Sequence, residues 1–124
     1  MDETAGKRFV AAVAAQDAGA LRDVLAPDVD FRGLTPGRAW EARDPDGVVE
    51  AVLGNWFGDS DRIVAVEHLE EGDPVVDTRR VGYRFAVTNG DGPHLVEQQM
   101  YYREEGGRVV HARVVCSGYR RRPD

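Results

Sequence analysis

A chain of 124 residues has room for one hydrophobic core, because a second would be too small to stand alone. Its 22 acidic residues against 16 lysines and arginines give a formal charge of -6, which repels a phosphate backbone and argues against nucleic acid as a partner. Apolar residues at 42% and charged residues at 31% are the proportions of a globular protein.

Between about Glu3 and Ala15, Phe9, Val10, Val13 and Ala14 recur at helical spacing and predict a helix with one apolar face. Acid precedes this apolar run and Gln16-Asp17 interrupts it, so it reads neither as a secretory signal nor as a membrane span. A short second helix is expected over Ala20 to Leu25, with Leu21, Val24 and Leu25 inward, and Pro27 forbids its continuation. Val29 to Arg32 alternates as a short strand. Gly33 to Arg43 reads as a loop turning at Thr35-Pro36-Gly37 and carrying Trp40. Asp44 as N-cap and Pro45 in the first turn then open a third helix. Its stripe of Val48, Val49, Val52, Leu53, Trp56 and Phe57 ends at Gly58.

Beyond Asp61 the apolar period shortens to that of a strand. Ile63 to Leu69 and Val75 to Thr88 are expected strands, the second closed by Asn89-Gly90-Asp91-Gly92. Leu95 to Tyr102 and Arg108 to Cys116 form a last hairpin turned at Gly106-Gly107. The order α-α-β-α-β-β-β-β predicts an α+β domain over residues 1–124, with an ordered core at 3–118 and a solvated basic tail at 119–124. In it a curved, cone-shaped antiparallel sheet packs against three N-terminal helices and encloses a hollow. The lone Cys116 excludes an internal disulfide and fits a reducing cytoplasm. His68, His94 and His111 lack metal-ligand spacing, and no Gly-rich phosphate loop follows a strand, so neither metal nor cofactor is expected.

The element order, together with LAPDVDF (Leu25 to Phe31), DPDGVVEAVLGNWF (Asp44 to Phe57) and the strand ending Cys116-Ser117-Gly118, resembles the nuclear transport factor 2-like superfamily. That group includes ketosteroid isomerases, SnoaL-like polyketide cyclases, epoxide hydrolases and dehydratases. The resemblance implies a cavity between helices and sheet and a homodimer formed through the sheet face. It does not choose a reaction, since one scaffold hosts many. The isomerase positions for a tyrosine donor, a proton-shuttling aspartate and a late carboxylic acid fall here at Phe9, Gly33 and Gln99. Only Gln99 retains a hydrogen-bonding side chain, which argues against isomerase chemistry.

Alternation leaves open which face of the last strand meets the hollow; the isomerase correspondence assigns Ala112, Val114 and Cys116 to it. The expected pocket residues are Phe9, Trp40, Trp56, Gln99, Tyr101, Ala112, Val114 and Cys116. Gln98 and Gln99 take opposite faces, so one of them must point toward the helices and needs partners there. Asp30, His111 and Glu97 are the candidates for general acid/base work, and Arg113 for an anion clamp, against a plain reading of His111 and Arg113 as outer-face residues. The leading expectation is a protein that binds a hydrophobic small molecule in a mostly apolar pocket. A cyclase, dehydratase or hydrolase, and a dimeric association module working through its sheet face, are the alternatives.

Overall fold

In the computed structural model, which describes residues 3–123, two helices lead into the sheet. α1 (Ala5–Ala14) starts at Thr4, whose hydroxyl accepts from the Lys7 N–H, and it buries Phe9, Val10 and Val13. α2 (Ala18–Asp23) starts at Asp17, whose carboxylate accepts from the Ala20 N–H. Between them Gln16 takes a left-handed φ of 52°, which ends α1 without a glycine. Its amide joins three segments: Nε2 donates to the Phe57 and Asp61 carbonyls, and Oε1 accepts from the Ile63 N–H.

β1 (Leu25–Thr35) and β2 (Arg38–Ala42) form a hairpin about Pro36-Gly37, with Gly37 at φ 80°. The stretch Gly33 to Arg43, expected as a loop, is therefore the end of one strand and the whole of another. Its strand character is hidden in sequence because Gly33 and the alternating Arg38, Trp40 and Ala42 carry little β-branched signal. α3 (Pro45–Val49) opens on the Asp44 carboxylate, which accepts from the Gly47 N–H at 2.7 Å, and continues as a π-helical segment, Glu50–Trp56.

The rest is sheet: β3 (Arg62–Glu71), β4 (Arg79–Asn89), β5 (Gly92–Glu105), β6 (Arg108–Cys116) and the short β7 (Arg120–Arg121). The order across the sheet is β2-β1-β6-β5-β4-β3. The α+β class and the helices gathered against the sheet are as expected. The sheet itself is mixed, because β6 lies parallel to β1 and antiparallel to β5. An extra residue at Val110 breaks the alternation of β6, so that both Val109 and Ala112 are buried.

Two further departures bear on the site. Tyr119 to Arg122, expected as a solvated tail, continue the last strand past an interruption at Ser117-Gly118: β7 pairs with β5 at Leu95 and His94, and the Arg122 N–H donates to the Pro93 carbonyl. Gly118, at φ 78°, makes that step possible. In addition, the cone is largely filled. Phe9, Phe31, Tyr83, Phe85, Met100 and Tyr102 are fully buried between helices and sheet. Among the described residues, no helix is long and apolar enough to cross a membrane.

Candidate functional site

One of several open spaces, and the one walled by aromatic rings from the core, lies where three irregularities meet. The first is the π-helical segment, which closes with the Phe57 N–H donating back five residues to the Val52 carbonyl. That wider turn brings both Trp56 and Phe57 inward. Trp56 lies over Gly33, where a Cβ would sit only 2.5 Å from the indole ring, and stands edge-on to Trp40. Phe57 packs edge-on to Phe85 and tilted against Tyr119. The second irregularity is the Thr35-Pro36 turn of the first hairpin, and the third is the break between β6 and β7. Together they bound a cavity of about 450 Å³ whose walls include Trp56, Phe57, Pro36, Cys116, Tyr119 and Arg120. This is the size of a small-molecule site.

Hydrogen bonding around the cavity is incomplete in a specific way. The Tyr119 hydroxyl donates to the Trp56 carbonyl at 2.8 Å, which ties the last strand to the π-helical segment. Burial, and then Asp61, raise the pKa of Tyr119, so the phenol stays protonated. Deeper in the sheet the Tyr83 hydroxyl donates to Gln98 Oε1 at 2.7 Å, and burial likewise keeps that phenol neutral. Among the described residues, two buried side-chain donors have no partner: the indole Nε1 of Trp56 and the amide Nε2 of Gln98. Trp56 forms a cavity wall, and Gln98 lies directly across the β5–β6 pair from Cys116, which forms another. Buried donors of this kind are usually matched by protein, water or ligand.

The expected pocket residues divide into three sets. Trp56 and Cys116 line the cavity, and Trp40 backs Trp56 with its indole N–H donated to Thr35 Oγ1. Phe9, Ala112 and Val114 point into the packed part of the core. Gln99 and Tyr101, by contrast, stand on the outer face of the sheet. Gln99 lies across Gly82 and accepts from the Arg80 guanidinium at 2.9 Å, while Tyr101 is 49% exposed. Alternation along β5 turns Gln98, Met100 and Tyr102 inward, and an assignment one residue out of step inverts every face. Gln98 is thus the inward glutamine. Tyr119 and Arg120 were missed because the arginine-rich ending reads as a tail; the aromatic residue just after Gly118 was the available signal.

The three acid/base candidates are also on the outer face, outside the cavity. Asp30 and His111 are neighbours in the β1–β6 register, whereas Glu97 lies on β5 in an ion pair with Arg84 at 2.8 Å. Arg113 donates to the Asp30 side chain at 3.3 Å and backbone at 3.0 Å, and holds that carboxyl below its ordinary range. Partial burial, then Arg113 and Arg103, lower the pKa of His111. The cluster is an ion pair beside a histidine whose pKa is lowered; Arg113 borders a second hollow of about 410 Å³ with Arg32 and Trp40, whose lining includes neither Asp30 nor His111.

Comparison with known proteins agrees with this architecture. The sequence matches the SnoaL-like domain family over residues 7–112. No curated protein matches the chain. Among solved structures, one from Rhodopseudomonas palustris, provisionally described as an isomerase, superposes with a TM-score of 0.74 at 20% identity, covering 95% of this chain and 93% of that one. A Pseudomonas putida protein provisionally described as a polyketide cyclase gives 0.68 at 11% identity, with 91% of each chain covered. A nuclear transport factor 2-like protein from Burkholderia thailandensis gives 0.65 at 22% identity, with 91% of this chain and 88% of that one covered. At these identities the likeness concerns the fold.

Proposed function

Because the chain belongs to the SnoaL-like domain family, whose fold encloses space between helices and sheet, we propose that it binds a small apolar molecule in the cavity beside Trp56. The observation that carries this reading is the hollow itself, about 450 Å³ and walled by Trp56, Phe57, Pro36 and Tyr119 with more apolar than polar surface. Cyclase or isomerase chemistry is the weaker reading, because it calls for titratable groups in the hollow while Asp30, His111 and Glu97 stand on the opposite face. Native mass spectrometry of the purified protein, followed by thermal shift with a panel of apolar ketones, aromatic polyketides and fatty acids, tests the proposal. A retained mass or a raised Tm for one class is the expected result. No retained mass and no shift across the panel would remove the support for a binding cavity.

A second surface feature favours self-association. Leu34 and Val115 are neighbours in the β1–β6 register and 54% and 52% exposed, and Tyr101 continues the patch on β5. We propose that this outer face is the contact of a homodimer.

A further inference from the structure

We propose that the outer face of the sheet carries an anion site, in which Arg32 and Arg113 together hold the phosphate or carboxylate group of a small molecule whose apolar body lies on Leu34 and Val115. The inference goes beyond the cavity reading and stands without it, since the two hollows share no lining residue. Register places the parts. Arg32 and Arg113 are partners across the parallel β1–β6 pair, and Leu34 and Val115 are partners two residues further on. Alternation sets all four on one face, opposite to Phe31, Ala112 and Val114, which are buried against the helices. Ala39 and Glu41 of β2 pair with Leu34 and Arg32 and complete the same side. These six side chains border the hollow of about 410 Å³.

Charge is unbalanced at this point. Arg32 and Arg113 stand on neighbouring strands, roughly 5 Å apart at the backbone, where like charges repel. The acids beside them do not settle the imbalance: Glu41 pairs with Arg43 at 3.1 Å, and Asp30 engages Arg113 through Nη1 alone. Among the described residues, Arg32 makes no hydrogen bond or ion pair, and Nε and Nη2 of Arg113 bond to nothing. The surplus is felt next door, where Arg113, Arg103 and Arg32 add to partial burial in lowering the pKa of His111. Free guanidinium donors match an oxyanion in geometry, and two of them match the charge of a phosphate monoester.

The test titrates naphthyl phosphate, naphthoate and the neutral naphthamide by calorimetry, and follows the His111 imidazole by NMR. Wild-type protein should bind the better anion about ten-fold more tightly than the naphthamide, the order of effect of one charge-assisted hydrogen bond. The tighter of the two anions names the headgroup. In Arg32→Gln, which breaks no bond of the fold, the preference should vanish; in Arg62→Gln, which removes the same charge from β3, it should persist. Binding should raise the His111 pKa in the wild type, because the anion offsets the arginines that depress it, a readout that needs no variant. Leu34 and Val115 belong also to the proposed dimer contact, and the Arg32→Gln comparison reads the anion in monomer or dimer alike. A preference that survives Arg32→Gln, or an unmoved His111 titration, would overturn the site. Naphthamide bound as tightly as either anion would overturn it too and leave the cavity reading standing.

Discussion

Gln98 uses half of its amide: Oε1 accepts from Tyr83, and Nε2 has no protein partner. Gln98→Leu removes the orphan donor but strands the Tyr83 hydroxyl, so we expect a loss of about 1–3 kcal/mol in chemical denaturation. Adding Tyr83→Phe should recover much of that loss, since both ends of the bond are then apolar. Gln16 is the opposite case, because every arm of its amide is bonded. On the outer face, the Asp30–His111 cluster sets a pH dependence. His111, flanked by Arg113, Arg103, Arg32 and Asp30, has a folded pKa below the ordinary 6.5, and Asp30 has one below the ordinary 3.8. In each case the unfolded chain takes up its proton first on acidification. Stability therefore falls as pH drops below 6.5 toward the folded pKa of His111, and falls again below 3.8 as Asp30 protonates. Tm measured against pH should lose the first step in His111→Gln. In Asp30→Asn it should lose the second and begin lower at neutral pH.

At the scale of elements, the π-helical segment decides whether the cone is open or filled. Its wide turn sets Trp56 over Gly33 at a distance no side chain at position 33 can share. Gly33→Val is expected to cost about 1–3 kcal/mol by overpacking and to change Trp56 fluorescence as the ring is displaced toward the cavity. The helix carrying Trp56 was legible in the sequence because its N-cap, its proline and its apolar stripe agree with one another. The π-helical pitch was not, since an apolar stripe at three- and four-residue spacing reads the same whether one hydrogen bond reaches back four residues or five. The strands of the second half were legible for a similar reason, β-branched alternation between strong turn signals, except that β4 begins at Arg79 and not at Val75, where Val76 at φ 58° makes a tight turn. The β2 arm and β7 were hidden, one by its arginines and tryptophan, the other by lying in a run of arginines that resembles a solvated end. Pairing with β1 and β5 supplies what local propensity lacks there. The site suffered most, because placing Gln98 or Gln99 inward turns on a single residue of register.

For the whole molecule, the outer patch of Leu34, Val115 and Tyr101 predicts a dimer by analytical ultracentrifugation, and Val115→Lys should shift the mass toward monomer without changing far-UV circular dichroism. A monomeric wild type at micromolar concentration would sink that expectation. The position of β6 has a consequence for how the protein is made. β6 follows the other long strands in chain order, yet it lies in the interior of the sheet between β1 and β5. While the chain grows, β1 can pair only with β2, and the meander of β3 to β5 has no link to it. The nascent protein thus carries two unfinished half-sheets, each with an open inner border, until β6 arrives and joins them. A chain stopped at Gly107 should precipitate, and a peptide spanning residues 108–123, supplied separately, should restore a soluble fold. This late strand acts as the keystone, so the sheet cannot close until β6 links β1 with β5.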